Sequence, residues 1–462
     1  MKQESEQKQQ QAVTSASVQT VSQGKVASYS AIDQLKDAGG FTFVENIIDG
    51  YSNLSPSKKA RRNIFLTDTD PKWCIARKML ASRLDVWKDY IRSEYNTEQM
   101  RDKAKETAIQ AEELLNRNLK SALARTHELE VAYRSVAFFY KNTESDKVKN
   151  VTIINASMDQ LRDLDNTVFA DHISNELKQN FDRLDLRRNY SLLVVPGYLG
   201  SNAILDKWSK MAFENKAFLI TDFQDLDSPD DVIDIFYNAD HTGGDAFKSN
   251  TVMTCNWLLG RQREEAVGEE ENLYVPPSTA LAGKIYSTLM SQVVAGKKFG
   301  GLNEVESVRF DLKRSEISEL ERMGLVPMVN EYSKVMAFSA KTLFNGDNLG
   351  LQTYSVVRVF DYITKVLFDF LNRRAFENWN TRTEADLRSQ IVKFLDSVMG
   401  PNKLIERFKV VKIEQDPNQK DRILLDIHIT PFFPAKSFVI QLAGHKGDGP
   451  EEAVWESEYR QE

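Results

Sequence analysis

Between residues 148 and 223 the hydrophobic period changes repeatedly. "VKNVTIINA" reads as a strand and "MDQLRDLDNTVFADHISNELKQNFDRL" as helix. "YSLLVVPGYL" is an apolar run with the length of a buried strand, "NAILDKWSKMAFENKA" is helical, and "FLITDF" is a further strand. Few architectures satisfy such alternation. Strands joined through helices pair in parallel, and the helices cover the faces of the sheet. The fold class is therefore α/β, passing to α+β where the strands cluster near the C-terminus. With 462 residues the chain is long enough for two or three domains.

On the N-terminal side, Trp73 to Tyr140 is strongly helical, and "TEQMRDKAKETAIQAEELLNRNLKSALARTHELEVAYRSVAFFYKN" runs for more than 40 residues without Pro or Gly. Its apolar positions, among them Ala108, Ala111, Leu115, Leu119, Ala122 and Leu129, fall at spacings of three, four or multiples. Large residues gather only at the end, at Tyr133, Phe138, Phe139 and Tyr140. This pattern predicts a mostly exposed helix that docks at its end. Residues 1–26 are rich in Gln and Ser, without periodicity, and read as a disordered arm. A short capped helix ("SYSAIDQLKDAGG"), an apolar stripe ("FTFVENIIDGY") and a basic link ("SPSKKARRNIF") follow it.

On the C-terminal side, residues 222–250 are rich in Asp and Gly and read as loop with short elements. A charged helix closes at Gly324, and a strand-like run containing Pro327 follows. "TYSVVRVFDYITKVLFDFLNRRAFENW" reads as one 27-residue helix, roughly 40 Å long. Val356, Val359, Ile363, Val366 and Phe370 form its expected core face, while Arg358, Asp361, Lys365, Asp369 and Arg373 lie away from that face. "RFKVVKIEQ", "DRILLDIHIT" and "SFVIQLAG" read as three short strands of one sheet. In the middle strand Ile423, Leu425, Ile427 and Ile429 alternate with Leu424, Asp426, His428 and Thr430. Residues 450–462 read as an acidic tail.

No catalytic motif emerges. The five histidines, His127, His172, His241, His428 and His445, have no partner at metal-ligand spacing, and "HELE" lacks the second His of a zincin motif. Cys74 and Cys255 have no CxxC spacing and fit buried thiols in a reducing compartment. "AGKKFGG" and "HTGGD" match neither phosphate-binding glycine pattern. "TDFQDLDSPDD" lacks EF-hand spacing. The net charge of −7 argues against a general nucleic-acid binder. There is no apolar core of a secretory signal, and no apolar run approaches the roughly 20 residues of a membrane helix. A cytosolic scaffold or assembly protein, with no cofactor or metal, is the default reading. A nucleotide-dependent α/β enzyme is the alternative from a different class.

The order of elements carries a resemblance. "RSEISELERMGLVPMV", a long apolar helix, a further helix, a hairpin and then "LDIHITPFFPAKSFVIQLAGH" resemble the large subunit of the type VI secretion contractile sheath, the TssC/VipB family. "ELEVAYRSVAFFY" is similar to the family's Leu-Glu…Trp-Arg-Gly-Leu segment, with Tyr133 at the Trp position and Ser135 at the Gly. "TIINASMDQLRDL" is similar to the strand and helix that follow, and "SLLVVPGYLG" stands where the family has a strand ending in Gly-Asp-Tyr. The altered Trp-Arg-Gly pattern and the region 222–275 mark a divergent member, of the kind found in the type VI systems of Bacteroidetes. A contractile phage-tail-like sheath is the near alternative.

The resemblance implies a domain plan and a set of partners. It gives an outer helical region over 27–145 that contacts the small subunit, a central α/β sheath domain over 146–345, and a C-terminal sheath domain over 346–449. The implied partners are a small sheath subunit (TssB/VipA-like), neighbouring protomers, an inner tube protein (Hcp-like), a baseplate and a disassembly AAA+ ATPase (ClpV-like). No nucleic acid and no membrane insertion are implied. The N-terminus does not resemble the helical segment that this ATPase recognises in some members. Family sheaths also exchange strands between protomers. The expected receiving sheet here is Leu424–Thr430 with Phe438–Leu442, including Leu424, Asp426, His428, Phe438, Val439, Ile440, Gln441 and Leu442. The donated strands would come from a neighbour's N-terminal linker and from the small subunit. A self-contained hairpin is the other reading of these strands.

Overall fold

The computed structural model describes Thr67 and residues 69–93, 96–143, 148, 150–436, 439–444 and 455–460. The N-terminal arm over 1–26 and the elements read from "SYSAIDQLKDAGG" to "SPSKKARRNIF" lie outside the described residues. The chain forms two compact units, Met1–Leu115 and Asn116–Glu462.

In the first unit, α1 (Pro71–Arg92) starts where the Asp70 carboxylate accepts the Lys72 N–H at 2.8 Å, with Pro71 at the first helical position. Helix α2 (Thr97–Asn142) opens on a reciprocal cap. The Gln99 N–H donates to Asn96 Oδ1 at 2.8 Å, and the Asn96 N–H donates to Gln99 Oε1 at 3.1 Å. No described side chain up to Leu115 is buried, and α2 continues past Leu115 as part of the second unit, where Ser135, Phe138 and Asn142 are buried.

The second unit is built on a central sheet. Its longer helices are α3 (Val168–Phe181), α4 (Asn202–Glu214), α5 (Pro229–Ala239), α6 (Ser278–Ser287), α7 (Arg314–Arg322), α8 (Tyr354–Arg373) and α9 (Thr381–Val398). Its first strands are β1 (Leu192–Tyr198), β2 (Phe218–Asp222) and β3 (Thr251–Cys255). An outlying antiparallel pair follows, β4 (Leu258–Arg261) with β5 (Leu273–Val275), and then β6 (Leu325–Glu331) and β7 (Lys334–Ala337). The sheet order is β1-β2-β3-β6-β7; the first four strands are parallel, and β7 returns antiparallel on β6.

Alternation along the strands divides two cores. Leu219, Met253, Leu325 and Val329 face one side, packed with Ile173 and Leu177 of α3, Leu205 and Trp208 of α4, Val232 and Phe236 of α5, and Leu320 of α7. Phe218, Ile220, Val252, Val326 and Met328 face the other, against Phe138 of α2 and Leu281 and Ile285 of α6. β2 and β3 are buried at every position, as a sheet covered on both faces requires. A third core joins α8 and α9 to a hairpin, through Val359, Ile363, Ile391, Leu395, Ile405 and Ile413. That hairpin is β8 (Ile405–Gln415) with β9 (Ile423–Pro431).

Several expectations need correction. Residues 151–157 form no strand, and Val151, Ile153 and Ile154 are exposed. The acidic stretch after residue 222 contains α5, an 11-residue helix. The Ser228 hydroxyl accepts the Asp231 N–H at 3.2 Å, Pro229 takes the first position, and Asp230 and Asp231 sit at the positive end of the helix dipole. The long helix is 20 residues, not 27. Its continuation is broken by Phe376 at φ +67°, and Asn380 then caps α9, accepting the N–H groups of Arg382 and Thr383 at 3.0 Å. Its charged side is not free: Arg358 and Lys365 are buried. Lys365 Nζ donates to the Tyr190 carbonyl at 2.8 Å, and Asp361 accepts from Asn250 Nδ2 at 2.7 Å. Burial pushes the Arg358 pKa down to about 10. Finally, the three C-terminal strands do not share a sheet. β9 pairs with β8, whereas β10 (Val439–Gly444) pairs with β11 (Trp455–Arg460), a strand formed by part of the acidic tail.

Candidate assembly surfaces

Open α/β sheets bind ligands at the carboxyl ends of their strands, where strand order reverses. Here the parallel strands β1, β2, β3 and β6 advance in one direction and never reverse. Their carboxyl ends are also plugged. The Asp222 carboxylate, fully buried at the end of β2, accepts the Gly197 N–H at 2.8 Å, the Ser278 N–H at 2.7 Å and the Ser278 hydroxyl at 2.6 Å. It also accepts the Thr254 hydroxyl. Burial raises its pKa to about 6 against the pull of these donors. The cluster ties the first turn of α6 to three strands.

Other polar groups are likewise committed to the fold. Lys248 Nζ, buried, donates to the His241 carbonyl at 2.8 Å and Asn202 Oδ1 at 2.9 Å, and lies 3.0 Å from Asp206. In the acidic loop, the place of a cation is taken by Arg309. Its guanidinium pairs with Asp227, reaches Asp225 at 3.1 Å and Glu271 at 3.4 Å, and lies 4.5 Å from the centre of the Tyr274 ring. Cys255 is fully buried, with its thiol pKa raised by burial. Among the described residues no group of three His, Cys, Asp or Glu could hold a metal.

What the molecule offers instead is surface. The C-terminal part of α2 is anchored along one side by residues four apart. Glu130 pairs with Arg261 at 2.9 Å, and Arg134 donates to the Gly260 carbonyl at 2.9 Å. Phe138 enters the second core, and Asn142 Oδ1 accepts the Asn303 N–H at 2.7 Å. Arg261 also pairs with Glu269. The contact with α6 is close enough to need Gly283, where a Cβ would lie 2.4 Å from the Phe139 carbonyl. Sequence reasoning missed this network; its one visible signal is the Glu130–Arg134 pair at i, i+4. Tyr133, expected at the docking end, is 74% exposed.

The residues expected in the long-helix core divide. Val356, Val359 and Ile363 are buried. Val366 and Phe370 are half-buried, and with Leu367, Gln390, Ile391 and Phe394 they line a cleft of about 170 Å³ between α8 and α9.

The residues named for strand exchange fall on two ribbons. On β9, Leu424 is half-buried, Leu425, Ile427 and Ile429 pack on the third core, and Asp426 and His428 point outward. On β10, Val439 is 58% and Ile440 52% exposed, and Gln441 is exposed as well. Consecutive strand residues face opposite sides, so neither face of this ribbon is covered at these positions. Leu442 takes part through its backbone, opposite Ser457, and Phe438 lies outside the described residues. Each strand of a two-stranded ribbon also has one unpaired edge among the described residues.

Three sequence profiles of one family cover the chain. They are the TssC/VipB-like N-terminal region over 28–119, the type VI secretion system TssC/VipB central domain over 121–345, and the TssC/VipB-like C-terminal domain over 353–461. The chain belongs to the TssC/VipB family. It is a sheath subunit of a type VI secretion system, from a family of structural proteins. No curated protein matches this TssC/VipB chain. Among solved structures, it is similar to the contracted helical sheath of the anti-feeding prophage, at 15% identity over 68% of this chain and 81% of that one, with a TM-score of 0.48. The contracted sheath of an extracellular contractile injection system, PVC, is similar at 18% identity over 59% and 75%, with a TM-score of 0.45. A sheath tail protein from Desulfitobacterium hafniense is similar at 12% identity over 65% and 60%, with a TM-score of 0.39. No helix among the described residues is long and apolar enough to cross a membrane.

Proposed function

We propose that this TssC/VipB chain is the large sheath subunit, acting in the cytoplasm as a heterodimer with a small sheath subunit. The heterodimers stack on a baseplate around an inner tube, through heterologous contacts that extend without closing. Assembly in the extended state stores free energy in the interfaces, and their repacking on contraction drives the tube outward. A disassembly AAA+ ATPase is the expected recycling partner. The alternative of a sheath from a phage-tail-like particle differs in the machine served and leaves the mechanism unchanged.

The observation that carries this reading is the β10–β11 ribbon. A lone two-stranded hairpin is marginal in water, and this one leaves Val439 and Ile440 uncovered on opposite faces. Strands from neighbouring chains, added at its open edges, would supply the missing hydrogen bonds and cover the apolar side chains. Backbone N–H groups of consecutive residues point to opposite edges. Of Val439→Pro and Ile440→Pro, one therefore strikes the pairing with β11 and the other the open edge. Co-expressed with the small subunit, the open-edge variant is expected to form heterodimers but no tubules by electron microscopy. Normal tubules from both variants would refute exchange at this ribbon.

A further inference from the structure

Arg358 is the one buried charged side chain that lacks a partner among the described residues. Lys248 and Lys365 each donate to a carbonyl at 2.8 Å, Glu321 pairs with Lys436 at 2.9 Å, and Asp416 pairs with Arg422 at 3.2 Å. Asp222 has the donors described above. The Arg358 guanidinium, 8% exposed, makes no hydrogen bond or ion pair with any described residue, and its Nη1 is sealed from solvent. Asp361, one turn further along α8, is taken by Asn250 and by Lys216 at 3.4 Å. The ionisable group that acts on Arg358 is the Tyr354 phenol, which burial keeps neutral. With its pKa lowered only to about 10, the guanidinium stays charged at pH 7. Ser355 adds to the imbalance. It is 1% exposed, and its hydroxyl also has no partner. The Tyr354 and Val356 N–H groups find the Ala340 and Thr353 carbonyls, whereas the Ser355 N–H, among the first of α8, finds none. Helix side chains lean towards the N-terminus and meet those three and four residues back, so Arg358 lies over the turn of Tyr354 and Ser355.

We infer that the first turn of α8 is a binding site for a small oxyanion, a carboxylate or a phosphate, held by the Arg358 guanidinium with the Ser355 hydroxyl and N–H. These are the donors that oxyanions take, and the positive end of the helix dipole lies at the same place. A water molecule would give Nη1 an acceptor and bring no charge, so the buried cation would still be uncompensated. An anion supplies both. The enclosure sets its size. Ser355 and Nη1 are closed off, and the part of Arg358 that remains exposed is the way in, so the site suits a single small group rather than a nucleotide. The same chemistry has two sources, a free ion or a carboxylate carried on another chain.

The test uses the full chain at low ionic strength, with inorganic phosphate and acetate as probes. The wild-type melting midpoint is expected to rise with the concentration of either anion, because the site exists only in the folded chain. Arg358→Met removes the charge and keeps an apolar stem. It is expected to melt no lower than wild type before anion is added, and to lose the rise. General effects of phosphate on folding act on both chains alike and drop out of the comparison. Ser355→Ala, the milder change, is expected to weaken phosphate binding about 10-fold in equilibrium dialysis. Equal midpoint shifts in wild type and Arg358→Met, or no shift with either probe, overturn the site. If Arg358→Met does not fold, unchanged phosphate binding by Ser355→Ala overturns it. The source is read from wild-type tubules formed with the small sheath subunit, the one arm that rests on the sheath reading. Labelled phosphate kept in the tubules makes a free ion the occupant, and phosphate expelled on assembly makes it a carboxylate of an adjoining chain; both support the site. A chain that binds phosphate and forms no tubules counts against the sheath reading and supports the site.

Discussion

The central strand β2 and the C-terminal strand β10 have similar composition and opposite circumstances. Phe218, Leu219 and Ile220 of β2 are at most 1% exposed, between two layers of helices, with strands on both edges. Val439 and Ile440 of β10 are more than half exposed, with one strand beside them. The same β-branched and aliphatic residues thus serve a finished structure in one place and an unfinished one in the other. Apolar strand composition states that a surface will be covered, and topology decides whether the cover comes from the same chain.

The contrast can be broken from either side. The largest effect is expected at the finished end: Trp208→Ala, on a side chain 1% exposed in the first core, should cost about 3–5 kcal/mol in denaturant unfolding of the isolated chain. A loss below about 1 kcal/mol would mean that this core is no better closed than the ribbon.

Next come two buried ionisable groups beside the sheet, with opposed pH dependence. His241, 1% exposed with Nε2 2.9 Å from the Tyr198 hydroxyl, is pushed down to about 4 by burial and then by Lys248. The unfolded chain therefore binds this proton more readily, and stability is lost as pH falls from about 6.5 to about 4. Asp222 is raised to about 6, so the folded chain holds its proton, and stability is lost as pH rises from about 4 to about 6. Measured against wild type across that window, His241→Phe should leave the downward slope of Asp222 exposed, and Asp222→Asn the upward slope of His241. Each difference should be on the order of 1–3 kcal/mol. Parallel pH profiles for both variants and wild type would show that the two groups are more solvated than their burial indicates.

The smallest effect on the lone chain is expected at the unfinished end. Ile440→Ser should shift its unfolding by less than about 0.5 kcal/mol, because the side chain has little cover to lose. The same change should weaken sheath assembly measurably by sedimentation. A larger loss in the lone chain would show that the ribbon is already packed.

Legibility in the sequence follows the same division. The alternation from 190 to 223 was readable because β1, α4 and β2 each bury a face within this chain. The Gly324 turn was readable because a helix closing at φ +101° favours glycine. The burial of Arg358 and Lys365 was not, since hydrophobic period locates apolar side chains and does not tell whether charged ones find partners. Helix α5 was obscured by an acid-rich composition, although its Ser-Pro-Asp-Asp start is a helix signal. Residues 148–156 have strand composition, yet no strand forms over 151–157 in the lone chain, and Ile153 is 65% exposed. The single three-stranded sheet expected at the C-terminus failed because pairing between strands is nonlocal: β10 had two candidate partners, and the tail strand β11 was read as merely acidic.

The one-way strand order has a consequence for synthesis. As the chain leaves the ribosome, β1, β2 and β3 emerge in the order in which they lie side by side, so each can add to the edge left by the strand made just before it. A sheet whose order reverses must keep its first edge open for strands made much later. Here the nascent sheet grows from one side, and of the edges that a later strand covers, that of β3 waits longest. That edge waits for about seventy residues, until β6 arrives.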